Sequence, residues 1–245
     1  MSSFYIGYLP QAPDDLRKFL RGIVTLLASV AVALAIILVL AQQNFSPAFF
    51  EFTKVRDFTG TLQANPYPTL LVIDPTSQAP TQYLLAAVGK HGFTERLTEL
   101  SGKPVHLRAK LIYRNEGAML EVVPNTIGLN SVTDSSTAPT STEQGEDVAL
   151  TGEIVDTKCF LGVMNPGRTK VHRDCAARCL SGGIPPALLV QDGTSSNLYL
   201  LAASDGAKLD PQQFLTHVGE PVTVRGKLFR SNASLKLNVS QITPN

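Results

Sequence analysis

Tryptophan is absent from the 245 residues, and cysteine (three), methionine (three) and histidine (four) are scarce. Aromatic residues make up 7% of the chain, and 21 Lys and Arg nearly balance 20 Asp and Glu. Without a basic surplus or interleaved aromatics, the chain has neither the electrostatic footprint nor the stacking platform of a nucleic-acid binder. No single-sign block marks a polyionic tail. The G-x-S-x-G, H-E-x-x-H, Walker and dinucleotide-binding glycine motifs are missing, so no hydrolase, transferase or nucleotide-dependent reaction has residues behind it. An enzyme is not the expected reading. The absence of C-x-x-C-H argues against covalent c-type haem.

Glycine (18) and proline (16) are plentiful, as β-rich folds with many turns require. One apolar run stands apart, GIVTLLASVAVALAIILVLA at 22–41, without a single charge. At ~1.5 Å per residue it covers the ~30 Å hydrocarbon core of a bilayer, and a transmembrane helix is expected over 22–42. A polar tail, 1–21, precedes it, with Asp14 placed to cap a helix. Arg17, Lys18 and Arg21 lie just before the run, whereas Lys54 and Arg56 lie farther beyond it. The positive-inside rule puts the N-terminus in the cytoplasm and residues 45–245 in the periplasm or outside the cell. The expected location is the inner (cytoplasmic) membrane, with a single span. A cleaved signal peptide is the competing reading, with Val39-Leu40-Ala41 as a cleavage site, but the run exceeds the usual 7–15-residue apolar region.

The remainder repeats itself. Tyr83-Leu84-Leu85-Ala86-Ala87 recurs as Tyr199-Leu200-Leu201-Ala202-Ala203, and Gly102-Lys103-Pro104-Val105 as Gly219-Glu220-Pro221-Val222. Lys110-Leu111 and Asn115 recur as Lys227-Leu228 and Asn232; the last two blocks share one offset, 117 residues. Two copies of one domain follow, at 52–128 and 147–245. The linker between them, 129–146, contains SVTDSSTAPTST, too polar to offset its ordering entropy, so flexibility is expected.

Each copy reads strand, strand, strand, helix, strand, strand. In the first, strands are expected at 69–74, 81–87, 104–114 and 118–123, with a helix at 93–100 on the Phe93, Leu97, Leu100 spacing. In the second, Asp210 caps the helix, Pro211 opens it and Gly219 ends it. This order resembles the OB-fold, a small five-stranded barrel; a small sandwich is the alternative. The expected fold is therefore mainly β, with one N-terminal transmembrane helix and two tandem OB-like barrels.

The copies differ at one place. Gly60 precedes Leu70-Leu71-Val72 by ten residues, whereas Gly152 precedes Leu188-Leu189-Val190 by 36. The 26 extra residues, 159–184, form an insertion that contains all three cysteines. VHRDCAARCLSGG reads as a short helix with a glycine stop. His172, Cys175 and Cys179 are spaced to share one helical face, and a turn at Pro166-Gly167 can fold Cys159 back towards them. Three thiolates and one imidazole can enclose a tetrahedral Zn²⁺, and the same soft donors suit Cu(I). Arg173 and Arg178 are placed to favour thiolates. Met164 is a lesser candidate, as a thioether ligand for copper. Asp156 and Lys158 read as a strand end and a solvated charge. His91, His106 and His217 have no Cys or carboxylate cluster nearby. Outside the cytoplasm a disulfide is the rival reading, Cys159 with Cys175 or Cys179, leaving one thiol over; haem ligation and inert cysteines also stay open.

The segments TGEIVDTKC and HRDCAARCLSGGIPP resemble those of uncharacterised bacterial envelope proteins in which a small OB-like domain carries a Cys…His…Cys…Cys insertion. The resemblance covers the second copy and rests on Cys159, His172, Cys175, Cys179 and Gly182-Gly183. It implies a bacterial, extracytoplasmic setting. Three functions are consistent with these residues: a tethered Zn- or Cu-binding module or subunit of an envelope complex with a protein partner, a thiol-redox protein using a Cys pair, or an interaction module with a disulfide-stapled loop. The first copy, lacking any candidate ligand, is expected to serve as spacer or partner platform.

Overall fold

The uncharged run lies within a single helix, α1 (Asp14–Gln42, 29 residues). Asp14 and Asp15 occupy its first turn, where carboxylates offset the helix dipole. The computed structural model describes residues 13–42, 47–73, 79–130, 145–193, 195–231 and 234–245. They fall in two units, Met1–Ser46 and Pro47–Asn245. In the first, α1 is long and apolar enough to cross a membrane, a property a signal sequence shares. The helix starts at Asp14, so it takes in the last third of what reads as a polar tail. Most of the Ser/Thr-rich linker, 131–144, lies outside the described residues.

The second unit is built of strands. The first series is β1 (Phe49–Phe50), β2 (Arg56–Gln63), β3 (Thr69–Ile73), β4 (Pro80–Ala86), β5 (Pro104–Arg114), β6 (Gly117–Val122) and β7 (Gly128–Leu129). β2, β3 and β4 form an antiparallel meander. β4 pairs in parallel with β6, β6 antiparallel with β5, and β5 antiparallel with β2, which links the five in a ring. β1 and β7 add to β5. The second series is β8 (Glu146–Asp156), β9 (Pro186–Asp192), β10 (Ser195–Ala203), β11 (Pro221–Arg230) and β12 (Leu235–Pro244). It closes as a five-stranded barrel, β10-β12-β11-β8-β9, again with one parallel pair, β10 with β12.

The residues singled out by the repeat occupy equivalent places in the two rings. Gly60 faces Val105 and Gly152 faces Val222; Leu85 faces Leu120 and Leu201 faces Leu237. Both glycines sit where the next strand crosses closely. A Cβ on Gly60 would lie 2.4 Å from the Leu71 carbonyl oxygen, and one on Gly152 2.3 Å from that of Leu189. Because the obstacle is backbone, Gly152→Ala is expected to cost about 1–3 kcal/mol of folding stability, read as a lowered denaturation midpoint.

The helices between the third and fourth strands are shorter than the sequence suggests. In the first ring only α2 (Leu97–Leu100) forms. In the second, Asp210 accepts from the Gln212 N–H as a cap should, but two 3₁₀ turns follow, Pro211–Gln213 and Leu215–His217. So short a segment does not offset the cost of helix nucleation. Phe214, at φ −137° and ψ −17°, breaks the run and is buried in the second barrel's core.

Each ring has its own core. Leu62, Leu70, Leu85, Leu107 and Leu120 fill the first, and Ile154, Leu188, Leu201, Phe214 and Leu237 the second. A third apolar cluster joins them. Ala86, Ile112 and Met119 of the first ring meet Val155, Cys159, Phe160, Leu161, Cys179 and Ile184. Phe160 is buried against this seam with the Arg114 guanidinium 4.3 Å from its ring centroid. Burying such a side chain contributes about 1.5–3 kcal/mol. Leu209 N–H, from the second series, donates to the Tyr67 hydroxyl of the first, and burial pushes the Tyr67 pKa up to about 12.

Candidate metal centre

β8 ends at Asp156, whose carboxylate is fully buried. Asp156 Oδ1 accepts the Cys159 N–H at 2.7 Å, the short-range turn for which aspartate is suited. A single π-helical turn, Cys159–Val163, starts there. Pro166 and Gly167 then fold the chain back, and a Cβ on Gly167 would lie 2.8 Å from the Cys159 carbonyl oxygen. A 3₁₀ turn, Lys170–His172, leads into α3 (Arg173–Ser181). Cys175 and Cys179 lie one turn apart on α3 and share its face. His172 precedes the α-helix rather than lying on it. The helix stops at Gly182, whose N–H reaches the Arg178 carbonyl at 3.0 Å.

These elements bring together all four residues picked out in the sequence. Ligand atoms of Cys159, His172 and Cys175 lie within 4.8 Å of one another, and so do those of Asp156, Cys159 and Cys179. Cys159 belongs to both groups. A metal held by thiolates at ~2.3 Å in a tetrahedron spaces its sulfurs by roughly 3.8 Å, within the 4.8 Å limit that each group satisfies. The three cysteines are free thiols, Cys159 and Cys179 buried and Cys175 partly exposed.

Asp156 is the residue that spacing did not single out. Its Oδ2 lies 3.0 Å from His172 Nε2. A neutral imidazole donating Nε2–H to this carboxylate presents its lone pair at Nδ1, the arrangement in which carboxylates orient metal-binding histidines. The only trace in the sequence is the D-x-x-C spacing of Asp156 and Cys159. Asp156 is indeed the strand end expected, but it is part of the site as well.

Hydrogen bonding between Cys159 and Cys179 raises the Cys159 pKa, with burial and the neighbouring Asp156 adding to the effect. The same bond lowers the Cys179 pKa. Both shifts come from one hydrogen bond between neighbouring thiols, and a metal binding at the pair would release their protons.

Two expectations about cations need correction. Lys158 is not a solvated charge: it is 3% exposed, with Nζ 2.6 Å from Glu121 Oε2. Arg173 does not serve the thiols; it binds Glu220 Oε1 at 2.8 Å and the Thr216 carbonyl. The cation at the cysteines is Lys90, which donates to Cys175 Sγ at 3.2 Å from the first ring. Met164 is half-exposed, and among the described residues His91, His106 and His217 join neither donor group. No protein-family model matches the sequence and no curated protein matches it, so its functional reading rests on these residues.

Proposed function

We propose that the chain is a membrane-anchored, extracytoplasmic metal-binding protein, with Cys159, His172, Cys175 and Cys179 as ligands and Asp156 orienting His172. The observation that carries this is the convergence of three thiols, one imidazole and a buried carboxylate. Zn²⁺ is the metal this donor set suits best, because three thiolates and an imidazole close a tetrahedron; Cu(I) is the second candidate on donor softness. We read the two strand rings as tandem OB-like barrels and 159–184 as an insertion between the first two strands of the second. α1 serves as an uncleaved anchor in the inner membrane, with its N-terminus in the cytoplasm. A closed site of this kind fits an accessory module or subunit that presents a rigid surface to a protein partner in the envelope.

A thiol-redox role has one observation in its favour: Cys175 is the partly exposed thiol, and the Lys90 ammonium donates to its Sγ. One experiment separates the two. The full-length chain, purified in detergent without chelator or added metal, is assayed for metal by mass spectrometry. Its thiols are counted under denaturing conditions before and after reduction. One metal per chain, with all three thiols titrating once it is removed, is expected. No metal, and two thiols that appear only on reduction, would replace metal binding with the redox reading.

A further inference from the structure

The donors all belong to the second barrel and its insertion, yet the first barrel grips them from both sides. Lys158, directly before Cys159, extends its ammonium into the first barrel. Nζ donates to the Ala87 and Gly89 carbonyls at 2.7 Å each and pairs with Glu121 at 2.6 Å. Three acceptors match the three N–H bonds of an ammonium, which offsets the cost of burying it.

The same short segment of the first barrel, 87–92, touches the far end of the donor set. Gly92 N–H donates to the Gly182 carbonyl at 2.9 Å, and Gly182 is the residue that ends α3. The approach is close enough to need glycine on both sides. A Cβ on Gly182 would lie 1.9 Å from the Lys90 carbonyl oxygen, and one on Gly92 2.2 Å from that of Gly183. Between these two anchor points Lys90 reaches Cys175. The segment therefore spans from the turn that holds Cys159 to the helix that holds Cys175 and Cys179.

We infer that segment 87–92, together with Glu121, is a positioning element of the metal centre. By fixing the Cys159 turn and the end of α3 to one template, it sets the separation of the donors. Metal binding in the second barrel is then linked to docking of the first, and each strengthens the other by the same factor. The first barrel is a working part of the site rather than a spacer. This inference rests on the metal-binding reading.

Cobalt(II) is the probe, added to full-length chain in detergent, with affinity taken from competition and geometry from the ligand-field and thiolate charge-transfer bands. Gly92→Val and Glu121→Gln, both outside the donor set, are expected to weaken cobalt binding by about 10–100-fold, as supporting residues do, and to alter the ligand-field bands. Lys90→Met, at an exposed position, is expected to leave the fold intact and to weaken it several-fold. Leu129→Ala, exposed on β7, is expected to change neither. Wild-type affinity and spectrum in Gly92→Val, Glu121→Gln and Lys90→Met would overturn the inference while leaving metal binding intact. Failure of the wild-type chain to bind cobalt(II) or zinc would overturn the metal reading, and this inference with it.

Discussion

Cys159→Ser is expected to abolish stoichiometric metal binding, with affinity falling by at least about 100-fold, or about 2.7 kcal/mol. Cys159 is the donor common to both groups, so its loss opens the site from either side. Both its backbone and its side chain are fixed by their surroundings. The Asp156 carboxylate fixes its backbone N–H, and the side chain is buried in the cluster shared by the two barrels. A serine hydroxyl there is a poor ligand for a soft metal and a polar group in an apolar seam. Binding energy of a structural metal is folding energy, so the variant should also lose the metal-dependent part of its thermal stability. A Cys159→Ser chain that still carries one metal, with unchanged affinity, would exclude Cys159 as a ligand.

Asp156→Ala is expected to destabilise the fold even without metal. The substitution leaves the Cys159 N–H and the His172 ring buried without their acceptor. Each unsatisfied group costs about 1–3 kcal/mol, so the loss of both should come to about 2–6 kcal/mol. Asp156→Asn is the sharper probe of the site. It keeps the volume and one acceptor, but its amide can no longer accept from both groups. Freed to change tautomer, His172 should bind metal about 10–100-fold more weakly. Equilibrium denaturation of both variants, with and without zinc, checks the two effects separately. Non-additivity with His172→Ala would assign the coupling to this pair. If Asp156→Asn binds metal as the wild type does, the carboxylate is a structural cap only.

The sequence carried more of the framework than of the site. Strand β5, at 104–114, and the place of α1 follow from alternation and from an uninterrupted apolar run, both local signals. The paired glycines, Gly60 and Gly152, were visible because a repeat compares a chain with itself. The helices at 93–100 and after Asp210 read more strongly than they form, since a cap and a spacing do not report the tertiary pull on Phe93 and Phe214. The three cysteines and His172 were legible because their spacing is local and lies inside a segment one copy lacks. Lys158 and Lys90 were not. Their partners are 71 and 85 residues away in sequence, and nothing near a lysine in a sequence says whether its ammonium meets water or a carbonyl. Asp156 was half legible: its place at a strand end could be read, its bond to His172 could not.

Together these contacts change how the molecule works as a whole. Two barrels joined by a flexible tether would bind metal and partner independently. Here the seam between the two strand rings contains Cys159 and Cys179, so the candidate ligands contribute to the packing that unites the rings.

X-ray absorption at the metal edge, on full-length chain purified from membranes without added metal, tests the central claim most directly. Three sulfurs at ~2.3 Å and one nitrogen at ~2.0–2.1 Å are expected. A shell of oxygen and nitrogen alone, or a metal-free chain whose Cys159 and Cys179 are joined in a disulfide, would contradict it.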